Sequence, residues 1–199
     1  MGTHLLVFAV AINTIQLPPP DKSGGKPLLQ ALALRRSTRE FSGKPLPPQM
    51  LSNLLWAAFG VNRPDGRRTA PSANNGQEID IYVALPDGVY VYMAEANVLK
   101  PVIAGDVRRA TGTQEFVGSA PLDLVYVADD SRAEGSADEK LFFSAANTGF
   151  IAQNVYLFCA SEGLGTVVRG SVDRDALAVA LKLRAGQRIT LAQSVGYLK

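Results

Sequence analysis

The stretch from Glu139 to Glu162 constrains the fold most, because Phe142, Phe143, Ala146, Phe150, Val155, Leu157, Phe158 and Cys159 fall on every side of a helical wheel. A helix apolar all round is buried, in a core or in a subunit interface. Asn147, Gln153 and Asn154 interrupt it, which argues against a membrane span. The small residues Ala145, Gly149 and Ala152 would let another helix approach closely, which favours a helix–helix contact such as a dimer one.

Other elements gather around it. Lys26 to Arg36 reads as a short amphipathic helix, after an extended connector that runs from Pro18-Pro19-Pro20 through Gly25. Gln49 to Phe59 is a second helix, opened by Pro48 and stopped at Gly60. Asn62 to Gln77 lacks an apolar period and reads as an ordered polar loop. Ile79–Leu85 and Val89–Met93 flank an Asp87-Gly88 turn signal, Leu122–Ala128 is a continuous buried-strand run, and Ile189–Tyr197 is a last strand. Without regular βαβ alternation, the class is α+β.

Composition closes off several chemistries. The net charge of +2, from 20 basic and 18 acidic residues, is too even to select nucleic acid or an anionic membrane. One cysteine and one histidine, Cys159 and His4, leave no intramolecular disulfide and no cysteine-based metal site, and make a zinc site or a His-centred triad a poor expectation. Chemistry must then come from Arg, Asn, Gln, the backbone or a cofactor. Residues 1–25 form an arm, with Leu5–Ile12 as an apolar run too short to span a bilayer. With no Lys or Arg ahead of that run, an arm packed on the body is favoured over a signal segment, and a cytoplasmic location over an exported one. Residues 26–199 are expected to form one domain.

Arg35, Arg36 and Arg39 lie within five residues, with Ser37 between them. Bases at a helix end often do no more than satisfy the macrodipole. Guanidinium forks with a hydroxyl also suit a phosphate and a planar polar ring.

Arg35, Ser37, Arg39 and Phe41 fill an Arg-x-Ser-x-Arg-x-Phe pattern that resembles the opening signature of the FMN-dependent nitroreductase superfamily. Pro71-Ser72-Ala73-Asn74-Asn75-Gly76-Gln77 is similar to that family's Pro-Ser-x-x-Asn-x-Gln loop. Gly163-Leu164-Gly165-Thr166 with Val168-Arg169-Gly170 resembles the segment crossing the flavin, and Val195-Gly196-Tyr197 the last core strand. These matches stand in order from Pro27 to Tyr197.

The resemblance implies a mainly antiparallel sheet flanked by helices, with a long buried central helix and FMN at the interface of a homodimer. Arg35 would meet the phosphate, with Arg36 and Ser37 near the phosphate and ribityl chain. Arg39 would sit at the N1–O2 edge, where a fixed cation stabilises reduced flavin. Gln114 aligns with an amide that bonds the pyrimidine ring, although a solvated loop Gln fits the sequence equally well. Pro71, Ser72 and Ala73 would touch the ring from the other subunit, and Asn75 with Gln77 would shape their loop. Val168, Arg169 and Gly170 would lie beside the isoalloxazine, a backbone N–H directed at N5 and Gly170 allowing close approach. No side chain stands out as a general acid or base. Many relatives continue past the last strand with more bases. Here Lys199 is the candidate for that part, the alternative being a phosphate site built on Arg35 and Arg36 alone.

The implied activity is hydride transfer from NAD(P)H through FMN to a small electron-poor acceptor, a nitroaromatic or quinone. Two other readings share the motifs. One is an FMN-dependent azoline-type dehydrogenase or oxidase, the other a flavin-binding protein without turnover.

Overall fold

The computed structural model describes residues 12–199. The readings placed on residues 1–11, as packed arm or signal segment, lie outside the described residues. Seven strands form one sheet: β1 (Ile15–Gln16), β2 (Ile79–Ala84), β3 (Gly88–Met93), β4 (Val98–Ala104), β5 (Leu122–Asp129), β6 (Leu164–Arg169) and β7 (Gln187–Tyr197). Their order is β1-β4-β3-β2-β5-β7-β6, and every neighbouring pair given a register is antiparallel. Among the described residues four α-helices accompany it: α1 (Leu28–Leu34), α2 (Pro48–Phe59), α3 (Ala137–Glu162) and α4 (Arg174–Ala180). The α+β expectation holds, with the mainly antiparallel sheet and the long helix.

α3 runs for 26 residues, or about 39 Å of axis at 1.5 Å per residue. Its start is fixed by a capping box, in which the Ser136 hydroxyl accepts from the Glu139 amide and Glu139 reaches back to the Ser136 amide. Its stop is Gly163 at φ 72°, a left-handed position that glycine takes without steric cost. The chain then enters β6 directly. One side of α3, with Ile151, Ala152, Val155 and Cys159, packs in the main core with Leu54, Phe59, Leu124 and Tyr126.

The opposite side differs from the expected all-round burial. Phe142 is 69% and Phe150 48% exposed in the single chain, and Leu141 and Phe143 are exposed beside them. Of the three small residues, Ala152 faces the core while Ala145 and Gly149 stand open. Buried apolar area is worth about 25 cal/mol per Å², so rings left in water forgo a sizeable stabilisation.

Local details depart from the sequence reading in instructive ways. α1 is shorter than Lys26–Arg36, since Pro27 is its N-cap and Arg35 already leaves helical geometry at ψ 121°. The hairpin turn centres on Pro86-Asp87 instead of Asp87-Gly88, because Leu85 and Gly88 exchange backbone hydrogen bonds and Gly88 opens β3. β4 escaped notice because Pro101 lies inside it; a register shift between Val89 and Tyr90 of β3 accommodates that proline.

Candidate functional site

Arg35 to Phe41 leave α1 and run along the outer edge of β6. The Thr38 amide donates to the Thr166 carbonyl at 2.9 Å, Phe41 bridges to Leu198, and the Ser42 amide donates to the Tyr197 carbonyl. This pairing carries the end of the chain back to the basic run. Arg36, Ser37, Thr38, Arg39, Glu40, Leu198 and Lys199 line one open groove of about 350 Å³. Lys199 therefore joins the basic residues, as the sequence reading allowed. Among the described residues, none of Arg35, Arg36, Arg39 and Lys199 makes an ion pair. Arg36, Arg39 and Lys199 outnumber Glu40 around this groove, an excess of positive charge suited to an anion.

A residue that sequence reasoning missed ties this run to the strand. The Tyr156 hydroxyl, from the C-terminal half of α3, lies 2.8 Å from Ser37 Oγ and accepts from the Val168 amide at 3.0 Å. The Arg35 guanidinium sits 5.2 Å from the centre of the Tyr156 ring, a cation–π distance. Backbone groups of alternate residues on an edge strand point outward. Thr166 and Val168 are both engaged on that edge, and Gly170 is next in the series. Its amide donates no hydrogen bond among the described residues, and a Cβ there would meet only Leu191, at 3.9 Å. The space beside Gly170 is open.

Gln114 lies close to this edge. The neighbouring Thr113 amide donates to the Ser171 carbonyl at 3.1 Å, and Phe116 packs on Phe41 with ring centroids 6.3 Å apart. Phe41, Phe116, Ala120 and Val167 form a small apolar cluster that joins all three segments.

Arg169 behaves differently from Val168 and Gly170. Its side chain turns into the protein, where it pairs with Asp123 Oδ1 at 2.8 Å and donates to the Thr111 carbonyl at 2.6 Å. A Cβ on Gly112 would come within 1.9 Å of this guanidinium, so glycine is needed there. Burial pushes the Asp123 carboxyl up to about 6, although Arg169 pulls the other way. Burial also raises the Cys159 thiol far above neutrality, so it stays protonated and is no nucleophile.

Pro71, Ser72 and Ala73 are not brought to the basic run within one chain. Their loop feeds β2 at Ile79, which pairs with Ala128, whereas the basic run lies at the end where Leu122 pairs with Val195. Leu122 to Ala128 spans about 20 Å of strand. Asn75 and Gln77 do shape the loop: Gln77 donates to the Gly66 carbonyl and to Asn75 Oδ1, and its amide donates to Ser72 Oγ. Asn74, Asn75 and Gln77 all have φ near +50°. A separate cavity of about 510 Å³, lined by Trp56, Phe158 and Lys22, contains none of the expected site residues.

Comparison with known proteins gives the family and the fold. The family model described as "Nitroreductase family" matches residues 32–197. A Methanocaldococcus jannaschii protein described as a nitroreductase is 33% identical, over 86% of this chain and 92% of its own. A crystal structure from Ralstonia eutropha, also described as a nitroreductase, is 48% identical with a TM-score of 0.91, covering 96% of this chain and 93% of its own. A Desulfovibrio desulfuricans structure in complex with FMN shares the fold at TM-score 0.65 and 22% identity, covering 87% of each chain. No helix among the described residues is long and apolar enough to cross a membrane. The chain belongs to the nitroreductase family, a family of oxidoreductases.

Proposed function

We propose that this chain is an FMN-dependent NAD(P)H oxidoreductase, assembled as a homodimer with its flavin between subunits. The observation that carries the reading is the groove lined by Arg36, Arg39 and Lys199, with Arg35 next to it over the Tyr156 ring, none of them ion-paired among the described residues, set against the β6 edge and its open Gly170 amide. That donor set fits a ligand with a phosphate at one end and a planar, electron-accepting ring at the other. Bound FMN would supply hydride chemistry at N5, between a nicotinamide and an electron-poor acceptor such as a nitroaromatic or quinone.

The residues of this chain bind and polarise. Arg35, Arg36, Ser37 and Lys199 hold the phosphate, and Arg39 places a fixed cation at the ring edge where negative charge collects on reduction. Val168 and Gly170 set the backbone beside the ring, Arg169 contributing its main chain only. Gln114 bonds the pyrimidine side. Pro71, Ser72 and Ala73 reach the ring from the second subunit, since one chain separates them from the basic run. The exposed Phe142 and Phe150 supply the matching apolar contact.

The test is the visible spectrum of the purified protein, followed by addition of NADH or NADPH. A yellow protein that bleaches is expected. A yellow protein that no nicotinamide bleaches would point to an azoline-type dehydrogenase or a binding protein. A colourless protein that ignores added FMN would sink the proposal.

A further inference from the structure

Tyr156 touches three residues of the proposed flavin site at once: Arg35 through its ring, and Ser37 and Val168 through its hydroxyl. The direction of these hydrogen bonds can be worked out from valence. A backbone amide can only donate, so the Tyr156 oxygen accepts from Val168. The phenol proton then needs an acceptor, and Ser37 Oγ at 2.8 Å is its one neighbour of that kind among the described residues. In the arrangement that satisfies all three groups without solvent, Ser37 accepts from Tyr156 and its own proton points away. Away from Tyr156 lies the groove with Arg36, Arg39 and Lys199. A donor facing a cluster of cations finds an anionic oxygen there.

We propose that Tyr156 is a positioning residue: by taking the Val168 amide and filling one lone pair of Ser37, it fixes the Ser37 hydroxyl as a donor toward the phosphate of the bound ligand. This rests on the flavin reading above. Chained hydrogen bonds polarise one another, so Ser37 gains strength as well as direction. The same contact holds the basic run at a set distance from β6, and the Arg35 guanidinium stacked on the ring keeps its charge beside that hydroxyl.

The test is a double-mutant cycle read by binding. The full-length chain, freed of flavin, is titrated with FMN and separately with riboflavin, following flavin fluorescence. Tyr156→Phe keeps the ring and removes the hydroxyl; Ser37→Ala removes the donor. Each single change is expected to weaken FMN about tenfold, as for a hydrogen bond to a charged group. The double variant should be within about twofold of the weaker single, because the second change removes nothing the first left working. Riboflavin, which lacks the phosphate, should bind all four proteins alike.

Losses that multiply in the double variant, or a Tyr156→Phe protein that binds FMN like the wild type, would overturn the proposal. Equal weakening for both flavins would overturn it too, by showing a general structural role. Should Tyr156→Phe fail to fold, Tyr156→Leu, which also lacks the hydroxyl, takes its place in the same cycle with Ser37→Ala. A wild-type chain that binds neither flavin would instead bring down the flavin reading, and this inference with it.

Discussion

Arg169 and Asp123 meet at 2.8 Å with their side chains 1% and 0% exposed, and the pair ties the end of β6 to β5 and to the Thr111 loop. Removing one partner of a buried pair leaves the other charge without compensation. Arg169→Met is expected to lower unfolding free energy by about 3–5 kcal/mol, measured by urea titration at pH 7. Among the described residues Asp123 Oδ2 and Arg169 Nε already lack partners, and without Arg169 the Ser194 hydroxyl remains to Asp123 only as a neutral donor.

The pair also sets a pH dependence. The Asp123 carboxyl goes from 3.8 to about 6 on folding, so the folded chain holds its proton to higher pH than the unfolded one. Stability from this group is at its highest below pH 3.8, falls as pH rises toward about 6, and is level beyond. That rise corresponds to about 3 kcal/mol. Urea titrations at intervals from pH 4 to 7 should show the decline. In Arg169→Met the fall should continue past pH 6, since the cation that pulls Asp123 down is gone.

Arg35 and Arg39 should separate in a binding and redox comparison. Arg35→Ala is expected to weaken FMN about tenfold or more with little change in flavin potential. Arg39→Ala should lower the potential and slow reduction by NAD(P)H more than it weakens FMN. Fluorescence titration and a dye-equilibrated potential measure the two quantities. Equal loss of binding in both variants would contradict the division.

Charging the bare side of α3 should separate the subunits. Phe142→Glu combined with Phe150→Glu places two carboxylates where apolar contact is proposed, each on an exposed residue of the single chain. Sedimentation velocity should show a monomer in place of a dimer. FMN affinity should drop with it, because the Pro71–Ala73 loop would no longer reach the ring. Thermal stability of the remaining monomer should fall only modestly.

Much of this was legible in the sequence. The apolar wheel of α3, the continuous run of β5 and the prolines around α2 each carry a local period or a stop signal, and each appears where expected. What escaped was non-local. Asp123 hid inside an apolar run, and its partner lies 46 residues away with no pattern linking the two. Tyr156 counted as one more residue on a buried helix, and only folding shows its hydroxyl facing Ser37, 119 residues earlier. The Pro71 loop showed its Asn-rich turn chemistry, but its distance from the basic run depends on β2 register, which no single segment encodes.

α3 has no joint between Phe150 and Tyr156. Six residues, about 9 Å of hydrogen-bonded helix, connect the bare apolar side to the phenol that holds Ser37 and Val168. A rigid rod of that length passes on a tilt or a rotation with little loss. Whatever settles on Phe150 thus also sets the clearance between the cationic run and the β6 edge, and the two ends cannot be tuned as separate parts.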